Sequence, residues 1–133
     1  MDKINNTIIN TLRKNSRTPF LKIAQELKIS EGTIRKRVKD LINNKQIKKF
    51  TLETADDTFA IVGIETETKT ETKKIVGKIK NLGIDTIYEV AGRFDIVCMV
   101  PTSTVEEINE ILEKIRSTEG VNHTETFTVL TKN

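Results

Sequence analysis

The amino-acid sequence predicts an α+β protein in two parts, an N-terminal winged helix-turn-helix and a C-terminal ferredoxin-like βαββαβ domain. Three observations predict it. Residues 1–50 hold thirteen Lys and Arg against four Asp and Glu, a net of +9, whereas residues 51–133 hold nine against fifteen, a net of −6. Apolar residues recur at helical spacing in the first part, while strand-like and helix-like runs succeed one another as βαββαβ in the second. The stretch from Ser30 to Asn44 reads as a capped, cationic helix placed just after a tight turn. Charge asymmetry of this size joins a polyanion-binding module to one that avoids polyanions. The boundary falls near Phe50–Thr58: residues 1–50 form the helix-turn-helix domain, 51–58 a linker strand and 59–133 the ferredoxin-like domain.

In the basic part, Asp2 is suited to cap a first helix whose inner face is Ile4, Ile8 and Leu12, widened by Ile9. Thr18 and then Pro19 restart the chain as a cap and a first-turn proline, and Phe20, Ile23, Ala24 and Leu27 make the second apolar face. Lys28-Ile29 is the turn. Ser30 caps the third helix, Glu31 suits its positive end, and Ile34, Val38, Leu41 and Ile42 form its inner stripe. Its wet side carries Arg35, Lys36 and Lys39, which suit the phosphates and base edges of a DNA major groove. Arg35 and Lys36 are the candidates for base or nearby phosphate contact, with Gly32 allowing close approach beside Glu31. Ser30, Thr33 and Arg37 are candidates for phosphate or structural contacts, and the Arg37 stem can instead pack beside the apolar stripe. Asn43 and Asn44 end the helix, and Ile47–Leu52 follows as a basic, strand-like wing.

In the acidic part, Phe59–Thr66 reads as a strand. A helix over Lys69–Asn81, with Ile75, Val76, Ile79 and Leu82 inward, is stopped by Gly83. Ile84–Ala91 and Phe94–Val100 form a hairpin about Gly92-Arg93, and Pro101 ends it. Ser103 or Thr104 caps a helix to Arg116 with Val105, Ile108, Ile111, Leu112 and Ile115 inward. Gly120 ends it, and Val121–Thr131 is the last strand. Two helices cover one sheet face and leave the other without a partner. A second copy of the same sheet is the simplest cover, and a two-fold dimer would set two recognition helices on a palindromic DNA site.

The composition narrows the chemistry. With 133 residues, 36% hydrophobic and no Trp, the chain supports a core of Ile, Leu and Val. No apolar run approaches the roughly 20 residues that span a membrane, the Met1–Thr7 stretch lacks the long apolar core expected of a signal peptide, and Cys98 in an apolar run excludes an internal disulfide. A cytoplasmic protein is expected. One histidine, His123, and one cysteine make no usual metal site, so neither metal nor cofactor is expected. Glycine-rich phosphate loops and nucleophile elbows are absent, and Glu106, Glu107, Glu110 and Glu113 suit a solvated helix face. Only Tyr88 and Phe94 offer stacking for RNA on a sheet. No catalytic site is expected. One constellation stands out: Gly92-Arg93-Phe94-Asp95, with His123–Thr128 alongside it in a neighbouring strand or subunit. Asp95 suits an ammonium, and Arg93 with threonine hydroxyls suits a carboxylate, the two ends of an amino acid. The same residues also suit an ordinary hairpin turn with a solvated ion pair.

Across essentially its whole length the chain resembles the Lrp/AsnC (feast/famine) transcriptional regulators. The resemblance is carried by Ile8–Leu12, Arg17–Phe20, Ile23-Ala24, Ile29-Ser30, Thr33–Val38, Ile47-Lys48, Gly92–Asp95, Gly120-Val121 and Thr124–Thr126. It implies a sheet domain of the RAM or ACT-like type, dimers that assemble further, often to octamers, and an amino-acid effector bound between sheet domains. It implies Gly92, Arg93, Asp95, Thr124, Glu125 and Thr126 as effector-site residues, with acidic Glu125 favouring lysine or arginine. The chain departs from the family by having Lys28 and Lys45 where many members have Gly. Two alternatives fit parts of the pattern: a ligand-independent architectural DNA binder, and an enzyme similar to the sirohaem decarboxylases.

Overall fold

The computed structural model describes residues 2–54, 59–101 and 104–133. The chain divides into two compact units, Met1–Thr54 and Ala55–Asn133.

The first unit is three helices: α1 (Lys3–Lys14), α2 (Phe20–Leu27) and α3 (Glu31–Asn43). Asp2 starts α1 by accepting the Asn5 backbone N–H at 2.7 Å, which satisfies a donor that has no partner within the helix. α2 begins one residue later than its sequence suggests. Pro19 holds the cap position, where its extended ψ of 138° still lets its carbonyl accept from the Lys22 and Ile23 N–H groups. The Thr18 hydroxyl turns back to donate to the Asn15 carbonyl. Ile8, Leu12, Ile23, Ala24, Ile34, Val38 and Leu41 make a single buried core, flanked by Ile4, Ile9, Phe20, Leu27, Ile29 and Ile47. Three short helices of this length are marginal in isolation, so this shared core holds them together.

Both α2 and α3 end in the same backbone device. The Lys28 N–H bonds to the Gln25 carbonyl and Ile29 N–H to that of Ala24; the Lys45 N–H bonds to Ile42 and Gln46 N–H to Leu41. These are paired 5→2 and 6→1 bonds about a left-handed residue. That residue is lysine each time, with φ of 56° at Lys28 and 59° at Lys45. The left-handed conformation costs an L-residue roughly 1–2 kcal/mol.

The expected wing is corrected. Residues 48–54 have no regular structure, and no strand lies in the first unit among the described residues. A strand needs a ladder partner, and every other element of this unit is a helix that has already spent its backbone groups. Phe50 and Leu52 are left exposed. The expected linker strand is likewise absent at 51–54, which have no regular structure, and its remaining residues, 55–58, lie outside the described residues.

The second unit runs β1 (Phe59–Thr66), α4 (Thr72–Asn81), β2 (Thr86–Glu89), β3 (Ile96–Pro101), α5 (Val105–Arg116) and β4 (Val121–Thr128). The strands form one antiparallel sheet in the order β2-β3-β1-β4, the ferredoxin-like arrangement. Val62, Ile64, Ile96, Cys98 and Val100 face the helices and are buried with Ile75, Ile79, Ile84, Leu112 and Ile115. Burial pushes the Cys98 thiol up to about 11. Several edges differ from expectation. α4 starts at Thr72, after its cap Glu71. β2 is only four residues long, and the β2–β3 connection is a six-residue loop that includes Phe94 and Asp95. Thr104 caps α5 through the Glu107 N–H, while Ser103 lies outside the described residues. Val105, expected to face inward, is exposed, because the first turn of α5 lies beyond the buried Leu112 and Ile115.

Candidate functional site

On α3 the sequence folds locally into a helix whose start is fixed twice. The Ser30 hydroxyl accepts the Thr33 N–H at 3.1 Å and also meets the Thr33 hydroxyl at 2.7 Å. Glu31 and Arg35 form an i,i+4 ion pair at 2.7 Å, which steers the guanidinium along the helix toward its N-terminus. Gly32 is exposed, and a Cβ there would meet nothing closer than the Ser30 hydroxyl at 4.0 Å. Thr33, Arg35, Lys36 and Lys39 are all exposed. Among the described residues Lys36 and Lys39 have no ion-pair partner within the chain. One end of α3 therefore offers small residues and an oriented Arg, and its outward face offers two uncommitted cations.

Arg37 is different. Its guanidinium donates to Asp2 at 2.6 Å and to Asn5 at 3.3 Å, and the side chain is half-buried. The Asn5 N–H and then the Arg37 guanidinium hold the Asp2 carboxyl below the usual carboxylate range. Of its two expected roles, the structural one is therefore occupied: Arg37 ties α3 to the start of α1.

The second candidate cluster lies on the sheet of the other unit. Gly63, Glu125 and Val97 stand opposite one another across β4, β1 and β3, on the sheet face away from the helices. The Phe94 ring lies flat against Gly63, so that a Cβ at Gly63 would fall 2.6 Å from it. The Arg93 guanidinium sits 5.5 Å from the centre of that ring and 3.2 Å from Glu125 Oε2. Glu125 Oε2 is buried yet accepts no hydrogen bond, since the Arg93 contact has ion-pair distance without hydrogen-bond alignment. Asp95 is held elsewhere: its Oδ2 accepts from the Thr66 N–H at 2.8 Å and the Thr66 hydroxyl at 3.1 Å, clamping the end of β1. The ion pair expected within the turn is thus made across the sheet instead, to Glu125.

Strand alternation divides the remaining candidates. Thr124 and Thr126 stand opposite Ile64 and Val62, on the helix-facing side, whereas Glu125 is on the other. Thr124 lies 3.4 Å from the Arg116 Nε, and the Thr126 hydroxyl is buried with no hydrogen-bond partner. Within one chain, then, Arg93 and Glu125 come together, and the two threonines do not join them. Gly63 is not among the expected site residues, and Phe94 is expected only as part of the Gly92–Asp95 turn, with no ligand role of its own. Glycine in the middle of an apolar strand was the available signal, because it marks close approach by another group. Among the described residues no group of His, Cys, Asp and Glu can hold a metal ion, and no helix is long and apolar enough to cross a membrane.

A helix-turn-helix with an exposed cationic third helix, joined to a ferredoxin-like domain with an open sheet face, is the build of a two-domain regulator. Residues 1–42 match the model of the AsnC-type helix-turn-helix domain and residues 59–132 that of the Lrp/AsnC ligand binding domain. The chain belongs to the Lrp/AsnC family of transcriptional regulators. It is similar to the HTH-type transcriptional regulator LysM of Sulfurisphaera tokodaii, 40% identical over 133 residues that span 98% of this chain and 95% of the relative. LysM of Saccharolobus solfataricus is 37% identical, spanning 98% and 94%. Among solved structures, a feast or famine regulatory protein from M. tuberculosis complexed with L-methionine shares the fold. Its TM-score is 0.80 at 18% identity, over 98% of this chain and 92% of that one. The chain is a transcriptional regulator with a ligand-binding domain and not an enzyme, which sets the decarboxylase alternative aside.

Proposed function

We propose that the protein is an amino-acid-responsive regulator that reads double-stranded DNA with α3. The observation that carries this reading is the exposed, uncommitted cationic face of α3 within residues 1–50, whose net charge is +9. Arg35, Lys36 and Lys39 contact bases and phosphates. Ser30, Glu31, Gly32 and Thr33 shape the close-approaching end, and Arg37 holds the helix in place. The open sheet face, with Tyr88 and Phe127 about half exposed, pairs with a second copy. The resulting dimer presents two α3 helices to a palindromic site and assembles further, to octamers, in the cytoplasm.

The effector binds between sheet domains near Gly92, Arg93 and Asp95, with Thr124, Glu125 and Thr126. Arg93 and the orphaned Glu125 oxygen are opposite charges in poor alignment. A zwitterion placed between them gives the guanidinium a carboxylate and the carboxylate an ammonium, each in better geometry. The negative charge of Glu125 favours lysine or arginine. The methionine bound by the structural neighbour is consistent with amino-acid effectors in general.

The test is affinity for DNA from the protein's own upstream region, across a salt series, with and without a panel of amino acids. Steeply salt-dependent specific binding that shifts with one amino acid is expected. Absence of binding to any duplex overturns the reading; specific binding that no amino acid shifts leaves the ligand-independent architectural binder.

A further inference from the structure

Lysine occupies the left-handed residue at both ends of the turn-and-helix unit, and that placement calls for a reason. Lys28 lies two residues before the Ser30 cap, and Lys45 two residues after Asn43. Both are exposed, and among the described residues neither ammonium makes a hydrogen bond or ion pair within the chain. The second unit uses glycine where its helices give way to turns at positive φ, at Gly83 (91°) and Gly120 (94°). Glycine or asparagine would hold the same conformation at lower cost. Exposed side chains give packing little part in the choice of lysine. Favourable charge at the helix C-terminus is the competing reason, since neither α2 nor α3 has a basic residue in its last turn. That benefit, however, is available from a lysine inside the last turn, with no left-handed residue required.

We infer that Lys28 and Lys45 are phosphate contacts that grip the DNA backbone at the two ends of α3. The thirteen residues of α3 make a rod of about 20 Å, longer than the roughly 12 Å width of the major groove. Cations just beyond each end of such a rod meet the sugar-phosphate walls on either side, while Arg35 and Lys36 face the groove. The lysines thus fix the pose of the helix and add sequence-independent affinity. The inference rests on the proposed reading of DNA by α3.

The experiment uses the full chain and a labelled duplex of mixed sequence, titrated over a salt series, with thermal unfolding of each variant in parallel. Lys28→Asn and Lys45→Asn keep a residue tolerant of positive φ and remove the charge; Lys28→Arg and Lys45→Arg keep the charge. Each Asn variant is expected to lower the slope of log affinity against log salt by about 0.9 per lost contact, with unfolding temperatures at or above wild type and the Arg variants unchanged in slope. An unchanged slope in both Asn variants, whatever their stability, overturns the inference; with lowered unfolding temperatures it assigns the lysines to the helix ends. If the wild type binds no duplex, the reading of DNA by α3 fails first. A loss of binding on Lys36→Ala alongside unchanged Asn variants leaves that reading standing and removes only this one.

Discussion

The basic unit closes its core on itself and leaves its charge outside, on one helix; the acidic unit buries one face of its sheet and leaves the other uncovered. In the first, seven apolar side chains from three helices are buried, and the exposed face of α3 is left free of structural duty. In the second, the buried face packs Ile and Val of β1 and β3 against those of α4 and α5, and the open face holds the Gly63–Phe94–Arg93–Glu125 cluster. The difference teaches where each unit can act. A closed unit works through what its surface charge attracts, and a half-open sheet works through what comes to cover it. The helix ends differ in the same sense. The unit that carries cations places lysine at positive φ, and the other places glycine there.

The sharpest way to break the comparison is to open the closed core. Ile34 is fully buried on the inner side of α3, directly beneath Thr33 and Arg35. Ile34→Ala should cost roughly 2–5 kcal/mol, through lost burial and the cavity left behind. In a three-helix unit this small, that loss should abolish DNA binding together with much of the helical circular dichroism signal. Retained β-sheet signal and cooperative melting of the second unit would show that the cores are energetically separate, as their two clusters imply.

A smaller effect is expected on the open face. Gly63→Val forces side-chain atoms into the space filled by the Phe94 ring, 2.6 Å from where the Cβ would lie. Displacing the ring should cost about 1–3 kcal/mol and detach Arg93 from its position over it. The measurement is the unfolding midpoint together with Arg93-dependent effector response. An unchanged midpoint would mean that Phe94 swings away freely and does not organise the cluster.

Much of this was legible in the sequence. The charge division, the caps Asp2 and Ser30 and the six elements of the sheet unit all follow from local chemistry, whereas Lys28 and Lys45 stand out only through the resemblance, as lysines where many family members have Gly. Caps and turns are decided within a few residues, and helical spacing is a periodic signal. What escaped were matters of partnership. The basic Ile47–Leu52 segment has strand propensity, yet a strand also needs a neighbour, and nothing in its own residues supplies one. Asp95 is three residues past Gly92, but its partner Thr66 is 29 positions away, and only the sheet register joins them. Likewise alternation along β4 assigns Glu125 and Thr126 to opposite faces, a division available from the period of two once the strand is granted. The Arg37–Asp2 pair spans 35 residues and was visible only as an Arg placed beside an apolar stripe.

That pair gives the finest test of the contrast, because it is an exposed charge contact holding a closed core. The Asp2 carboxyl sits below its usual range, first through the Asn5 N–H and then through Arg37. A depressed carboxyl in the folded state contributes stability that is present above the ordinary carboxylate range. That contribution is lost as the pH falls through the depressed value. Asp2→Asn keeps a capping oxygen and removes the charge. The stability difference between wild type and this variant should therefore be small and constant near neutral pH, and vanish in acid. Added salt should shrink it, since the pair is open to solvent. Arg37→Ala should remove only part of the acid dependence, because the Asn5 N–H still favours the ionised carboxyl. If Arg37→Ala removes all of it, the tie between α3 and α1 outweighs the cap. If pH leaves the difference untouched, Asp2 serves α1 through its shape alone, and Arg37 becomes free to join Lys36 and Lys39 on the cationic face.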